Sequence, residues 1–290
     1  MSDLSVETPH RATERAVVRL TLAKLSAKAA LPALPAAATA ALAVARDPDA
    51  NIDKLCRVIR RDVGLAARVL RVANSASFGR RRPARTLREA VITVGLRETC
   101  NVLVAASARQ IYDVSSPHAT TLWNHALATA VAAEELAMIT HRADPTVAFL
   151  PALFHDLGLI VFLLADPTAF EVIQQMVETG EEENWQLERE WYGFDHGEAG
   201  QLLAESWGLA PDQCDAIAWH HDWQRADSGR DLAALVNAAD ALAYAIGFGT
   251  SFRRPPAAET TQLGLSREDE LACMERVREA FAAQAELFAR

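Results

Sequence analysis

The sequence predicts an all-α protein built from two helical blocks that share an interface. Alanine is abundant, whereas the 290 residues include 13 glycines and 12 prolines, and alanine is the strongest helix former. Apolar residues recur every three or four positions, as on one face of a helix, and neither an alternating strand pattern nor a tandem repeat is found. Half of the residues are hydrophobic, which is enough for a sizeable core.

The first block is predicted over residues 19–115, after a polar, flexible tail at residues 1–18. Leu31–Pro35 (LPALP) is typical of an extended segment that leads into a helix, because proline is tolerated in the first helical turn. Asp47–Asn51 (DPDAN) predicts a turn followed by a helix start. Apolar residues continue at helical spacing after it, and Gly64 predicts a break between two helices.

The second block is predicted over residues 116–290 as a helical bundle that ends in an amphipathic helix. Its first long helix is expected to begin near Leu122, and the acidic segment Gly180–Asn184 is expected at the surface. Ser266–Asp269 (SRED) has the pattern of a capping box, in which two side chains satisfy free backbone N–H groups at a helix start. It therefore predicts where the last helix begins.

The charge of the chain argues against nucleic acid and membrane surfaces as partners. The formal net charge is -9 and the pI is about 5.4, so the protein repels polyanions in general. Five arginines between Arg80 and Arg88 are an exception, and they form either a patch that binds an anion or partner or a solvated loop. The loop is the favoured alternative, and without interleaved aromatic residues the segment is not typical of single-strand binding by stacking.

Cysteine usage and apolar segments predict a soluble, cytoplasmic protein. The four cysteines are far apart and form no CxxC pair, which is typical of reduced thiols. The N-terminal residues lack the apolar segment of a signal peptide. Residues 29–45 and 148–165 are apolar, but prolines interrupt both, so neither is a clean run of about 20 apolar residues as a membrane span needs.

Histidines and aspartates recur within the apolar segments of the second block, and these side chains are common ligands of transition metals. Neighbouring residues such as His155 and Asp156 can reach one ion if they lie at a helix end that faces the bundle centre. A buried histidine also satisfies its polarity by bonding to a carboxylate or carbonyl, so a hydrogen-bonded polar core is the open alternative. The candidate ligands are His125, His155, Asp156, His196, His220, His221 and Asp240.

Two other polar residues allow a local interpretation. Glu188 precedes His196 by about two helical turns, so it either orients this histidine, accepts a proton from metal-bound water, or is a surface acid. Asn74 follows an apolar helical segment and is interpreted as a helix cap.

The candidate ligands resemble the signature of the HD superfamily of metal-dependent phosphohydrolases. His125, the pair His155–Asp156, and Asp240 match its H…HD…D pattern. The resemblance implies a divalent metal (iron, manganese, zinc or nickel) that activates water against a phosphoester. His196 and the pair His220–His221 stand where the branch that cleaves cyclic di-guanylate has additional ligands.

A more specific resemblance is to the HDOD domain, a branch of this superfamily found in bacterial signalling. The segments LPALP, NSASFG, FLPALFHDLGLIVF and EREWYGFDH carry it, and it extends from about Leu22 to Gly247. It implies that a helical first half packs on an HD-like helical bundle. It also implies a regulatory module that acts on signalling proteins in trans, with a retained structural or sensing metal site. The sequence leaves the oligomeric state open.

Two departures from the HD phosphodiesterase pattern favour the regulatory module over an enzyme. Active members commonly have a lysine after HDxG, and this chain has Leu159, which cannot bind a phosphate. The tripeptide GYP does not follow His221. A metal-dependent phosphohydrolase that acts on a nucleotide or cyclic dinucleotide remains the alternative.

Overall fold

A computed structural model describes residues 32–75, 78, 82–114, 116–179, 182–249 and 260–288, and within these ranges the chain is helical without any strand. The predicted all-α fold is therefore confirmed. The tail predicted at residues 1–18 lies outside the described residues. The helices are α1 (Ala36–Arg46), α2 (Ile52–Ile59), α3 (Val63–Ala73), α4 (Leu87–Val94), α5 (Leu96–Ala108), α6 (His118–Thr140), α7 (Pro145–Phe154), α8 (Leu157–Ala165), α9 (Pro167–Thr179), α10 (Asn184–Tyr192), α11 (His196–Trp207), α12 (Pro211–Ala218), α13 (Arg230–Ala245) and α14 (Arg267–Phe288).

Side-chain caps determine where several helices of the first block begin. Asn51 accepts a hydrogen bond from the backbone N–H of Lys54 and starts α2, as its sequence pattern predicted. Asp62 caps α3 in the same way, through the N–H of Leu65. The break between α2 and α3 therefore precedes Asp62, and the prediction of a break at Gly64 is wrong by a few residues, because this glycine lies in the first turn of α3.

Asn74 lies at the C-terminal end of α3 but does more than cap it. Its Oδ1 accepts a hydrogen bond from the N–H of Ala84 at 2.6 Å, and its Nδ2 donates to the carbonyl of Ala84 at 3.2 Å. These two bonds hold the segment before α4 against the end of α3. Arg80 and Arg81 lie outside the described residues, while Arg88 pairs with Asp53 on α2.

The second block contains the long central helix α6, around which α7, α13 and α14 pack. Helix α6 begins at His118, one turn earlier than the predicted start near Leu122. The capping box at the start of α14 is confirmed, because Ser266 Oγ accepts from the N–H of Asp269, and Asp269 Oδ2 accepts from the N–H of Ser266.

The helices of the two blocks share one core. Helix α5 packs on α1 and on α7, and α14 packs on α3 as well as on α6. Buried side chains of both blocks belong to one continuous hydrophobic cluster. The blocks therefore meet through apolar contacts, while a boundary at residue 115 stays a prediction.

The most apolar part of the chain is buried in this core. Pro145–Ala165 is long and apolar enough to cross a membrane by length and composition alone, but most of it lies inside the domain. It consists of α7 and α8, and the junction between them is formed by His155 and Asp156. The apolar composition is thus explained by core packing, and the cytoplasmic location remains a prediction.

Candidate metal centre

The structure brings all seven candidate ligands together at the centre of the second block. His125 lies in the middle of α6, and Asp240 lies on α13, which packs against it. His155 and Asp156 occupy the α7–α8 junction, as expected for neighbours that face one site from a helix end. His196 is the first residue of α11, and His220 and His221 follow the end of α12.

Four of the histidines have their rings fixed by a hydrogen bond at Nδ1. A carbonyl oxygen only accepts, so the ring nitrogen that faces it carries the proton. This leaves Nε2 of a neutral ring as a lone pair, which is the form that binds a metal. The Nδ1 partners are the carbonyl of Phe248 for His125 (2.8 Å), the carbonyl of Ala152 for His155 (2.7 Å), the carbonyl of Ile217 for His220 (2.8 Å) and Glu188 Oε2 for His196 (2.7 Å).

The Nε2 atoms of these rings converge. Nε2 of His125 lies 3.2 Å from Nε2 of His155. Nε2 of His196 lies 3.3 Å from that of His220 and 2.9 Å from that of His221. Lone pairs at these distances repel one another unless a proton or a metal cation lies between them.

Asp156 joins the two groups of histidines. Its Oδ1 lies 3.3 Å from Nε2 of His155 and 3.2 Å from Nε2 of His196, and its Oδ2 lies 3.4 Å from Nε2 of His125. The Asp156 side chain is 8% exposed, so little water is available to solvate its charge. The positive charge that offsets it must come from within the cluster.

Asp240 supplies a second carboxylate with an unsatisfied atom. Its Oδ1 is buried and receives no hydrogen bond from the described residues, although Nε2 of His125 lies only 3.0 Å away. A buried acceptor without a donor is costly unless a cation approaches it. This orphaned oxygen is the observation that fits a metal ion better than a hydrogen-bonded polar core.

The donor atoms of the described residues form three overlapping groups, in each of which the ligand atoms lie within 4.8 Å of one another. One of them, made by His155, Asp156 and His220, joins the other two, which are His125, His155 and Asp240, and His196, His220 and His221. We call these other two the first and second ligand groups. Imidazole and carboxylate ligands suit iron, manganese, zinc and nickel. The residues therefore fit a divalent metal, and their role as its ligands stays a prediction.

The charges of the cluster shift the pKa values of its members in opposite directions. Burial alone would lower the pKa of His155, but the carboxylates of Asp156 and Asp240 outweigh it and raise the pKa to about 10. The pKa of His196 is likewise raised well above its usual value, since Glu188 and Asp156 outweigh its burial. Burial and the neighbouring imidazoles lower the pKa of His220 to about 3. Without metal, these shifts favour protonated rings at His155 and His196, beside the carboxylates of Asp156 and Glu188.

Glu188 is an outer partner of the cluster, and the surface alternative for it is wrong. It is 1% exposed and accepts hydrogen bonds at 2.7 Å from both Nδ1 and the backbone N–H of His196. This is the orienting role that outer carboxylates have for metal-bound histidines. The three carbonyl partners were missed by sequence reasoning, because a backbone acceptor leaves no residue-type signal.

Two glycines allow the helices around the site to approach closely. A Cβ on Gly158, in α8, would lie 2.1 Å from the carbonyl oxygen of His196. A Cβ on Gly197, in α11, would lie 2.6 Å from the carbonyl oxygen of Ala218. Any side chain at either position would collide with a neighbouring backbone oxygen, so both positions require glycine. The two glycines thereby allow α8, α11 and the end of α12 to pack at this short distance.

Gly158→Ala is expected to destabilise the protein by about 1–3 kcal/mol or more, as overpacking does, and to weaken metal binding by displacing His196. Gly64→Ala is the matched control, because the nearest atom to its Cβ would be a side-chain oxygen of Asp62 at 3.2 Å. That change is expected to alter the free energy of unfolding by no more than about 1 kcal/mol. Urea unfolding of both variants tests this, and equal stabilities would contradict it.

Sequence comparison identifies the protein family to which the chain belongs. The sequence profile of the HDOD domain matches residues 31–223. An uncharacterised protein of Treponema pallidum (strain Nichols) is 30% identical over 196 residues, which are 66% of this chain and 38% of that protein. The chain thus spans about two fifths of the length of this relative.

Solved structures share the fold. An HDOD domain protein of unknown function from Geobacter sulfurreducens has a TM-score of 0.73 at 24% identity, covering 96% of this chain and 97% of its own. A protein of Marinobacter aquaeolei VT8 assigned to signal transduction has a TM-score of 0.75 at 21% identity, covering 99% and 68%. A protein of Shewanella amazonensis SB2B assigned as a metal-dependent phosphohydrolase has a TM-score of 0.64 at 22% identity, covering 93% and 99%. These likenesses show the fold, and the profile match to two thirds of its length establishes that the chain belongs to the HDOD domain family.

Proposed function

We propose that this protein is a bacterial signalling module that binds a divalent metal and regulates partner proteins by direct contact. Membership of the HDOD family supports the proposal, as does the signal-transduction assignment of the Marinobacter protein. The observation that carries it is a complete set of candidate metal ligands beside a buried leucine, Leu159, at the position where a lysine would bind a phosphate. Such a centre can hold an ion without being equipped to bind a phosphoester.

In the described part of the chain, cationic side chains are scarce between α10 and the residues that follow α12. The chain has three lysines, and all precede residue 55, so the second block contains none. Leu159 is 2% exposed in the core, at the position where HD phosphodiesterases commonly have lysine. Of the two arginines between residues 182 and 225, Arg189 pairs with Asp195, and Arg225 lies over the ring of Trp219.

The metal would have a structural and sensing role on this proposal. The first ligand group joins α6, the α7–α8 junction and α13, and the second joins the start of α11 to the end of α12. An ion in the first group would therefore crosslink three parts of the bundle, and an ion in the second group would crosslink two more. A divalent metal in such a site can also polarise water, which is the property that the alternative function would use.

Hydrolysis assays test the proposal. The full-length protein is loaded with manganese, iron, zinc or nickel and incubated with bis(p-nitrophenyl) phosphate and with cyclic di-guanylate. We expect turnover no faster than that of His155→Ala, which lacks a ligand of the first group. Metal-dependent turnover that His155→Ala abolishes would contradict the proposal.

A metal-dependent phosphohydrolase is the second candidate function. It is favoured by the completeness of the ligand set and by the partial exposure of the Asp240 side chain (15%), which gives solvent a route to the first ligand group. The phosphohydrolase assignment of the Shewanella protein supports it. On this alternative the substrate would need a phosphate contact other than lysine.

A further inference from the structure

Helices α9 and α10 form a pair with a hydrophobic cluster of its own; we call their described residues, 167–179 and 182–192, the acidic hairpin. Ile173, Val177 and Leu187 form a small hydrophobic cluster of their own, separate from the main core. Stacking of Tyr192 on Phe162 at 4.5 Å and burial of Phe170 connect it to the rest of the protein. Elements with few buried contacts move at a low free-energy cost.

Helix α10 of the hairpin contacts the second ligand group directly. Glu188 fixes the ring and the backbone of His196. Trp185 stacks on His221 with 5.9 Å between ring centroids and an angle of 17°. Arg189 bonds at 2.8 Å to Asp195, the residue that caps α11 immediately before His196. The positions of three α10 side chains are thus coupled to the positions of His196 and His221.

The exposed side chains of the hairpin combine apolar groups with negative charge. Trp191, Met176 and Val172 are 53%, 42% and 39% exposed, and they are three of the seven large hydrophobic side chains exposed in the described part of the chain. Four glutamates of its described residues are exposed, namely Glu171, Glu178, Glu182 and Glu190, whereas its single arginine pairs with Asp195. Exposed aromatic and methionine side chains are typical of protein interfaces. The surplus of acid selects a basic partner by charge complementarity.

We propose that the acidic hairpin is a metal-controlled docking surface for a basic, amphipathic segment of a partner protein. This rests on the proposed function, because it requires a metal at the second ligand group. An ion bound by His196, His220 and His221 would fix the rings of His196 and His221, which Glu188 and Trp185 of α10 contact. It would thereby restrict the motion of α10. Without the ion, α10 keeps its apolar cluster, the Tyr192–Phe162 stack and the bonds of Glu188 and Arg189. It loses the fixed ring of His221 under Trp185, and the docking surface is less ordered.

The experiment uses the full-length protein with zinc or with chelator, and a fluorescein-labelled amphipathic peptide of leucine and lysine as the probe. Zinc is expected to slow amide hydrogen exchange in residues 184–192. It is also expected to raise affinity for the peptide about tenfold at physiological salt, a usual size for coupling between sites. A leucine–glutamate peptide should not bind.

Two pairs of substitutions separate docking from general attraction to an acidic protein. The double variant Met176→Ser, Trp191→Ser should lose the zinc-dependent binding. The matched control Ile92→Ser, Leu271→Ser removes side chains that are 60% and 48% exposed elsewhere, and it should bind as the wild type does. Trp185→Ala leaves all seven candidate ligands in place, and it should take up zinc while losing the effect of zinc on α10.

Zinc content measured in the same samples separates the two proposals. If zinc is bound but neither exchange in α10 nor peptide affinity changes, the docking proposal is wrong and the metal-binding module stands. Equal peptide binding by the two double variants would also overturn it. If no zinc is taken up, the proposed function fails, and the docking proposal fails with it.

Discussion

Asp156→Ala is expected to abolish metal binding at both ligand groups. The carboxylate lies between them, with His155 and His196 within 3.3 Å of Oδ1 and His125 at 3.4 Å from Oδ2. Its removal takes away a ligand and the main negative charge that attracts the ion. The loss of affinity should exceed the roughly 10–100-fold effect that is typical of outer-partner substitutions. Mass spectrometry of metal content after reconstitution and gel filtration measures it.

Two further variants serve as controls for the loss of metal in Asp156→Ala. His221→Ala removes a ligand of the second group alone, so it should lower metal content without abolishing it. Asp231→Asn changes an exposed acid on α13, the helix that also carries Asp240, and should retain the wild-type content. Wild-type metal content in Asp156→Ala would contradict the account. Complete loss in His221→Ala would show one indivisible site instead of two groups.

Metal affinity is expected to rise steeply with pH. The carboxylates around them raise the pKa of His155 to about 10 and that of His196 well above its usual value, so we expect both rings to be protonated at neutral pH without metal. Each must lose the Nε2 proton to bind an ion, so binding releases about two protons, and affinity rises up to about 100-fold per pH unit. Raising the pH therefore favours the metal-bound form. Calorimetry in buffers of different ionisation enthalpy counts the protons.

His118→Ala is the control for proton release. His118, the first residue of α6, pairs with Glu171 on α9 and packs on Phe170. Neither partner is a candidate ligand, so the substitution should leave the number of released protons unchanged. Affinity that does not vary with pH would mean that His155 and His196 are neutral without metal. The carboxylates would then need another source of positive charge.

The sequence predicted the parts of this structure that depend on residue type and spacing. His155 and Asp156 are polar residues inside an apolar run, and burial requires that they have partners. Their location at a helix junction, the helix start at Asn51 and the capping box at Ser266 all follow from local pattern. The all-α fold followed from alanine content and helical spacing in the same way.

Other features depend on tertiary contacts that no local pattern records. The carbonyls of Phe248, Ala152 and Ile217 fix three histidine rings, yet a backbone oxygen is present in every residue. Gly158 is required because another helix approaches it, which its neighbours in sequence do not reveal. Gly64 predicted a break that instead precedes Asp62, because the capping side chain decides where α3 begins.

The central claim is that these seven side chains bind divalent metal, and anomalous diffraction from crystals grown with zinc tests it most directly. The account predicts strong anomalous peaks within bonding distance of the Nε2 atoms, one in each ligand group, with Asp156 between them. Crystals of Asp156→Ala grown in parallel should show neither peak. Diffraction data without a peak at either group in the wild type would contradict the account, leaving His155 and Asp156 as a protonated polar pair in the core.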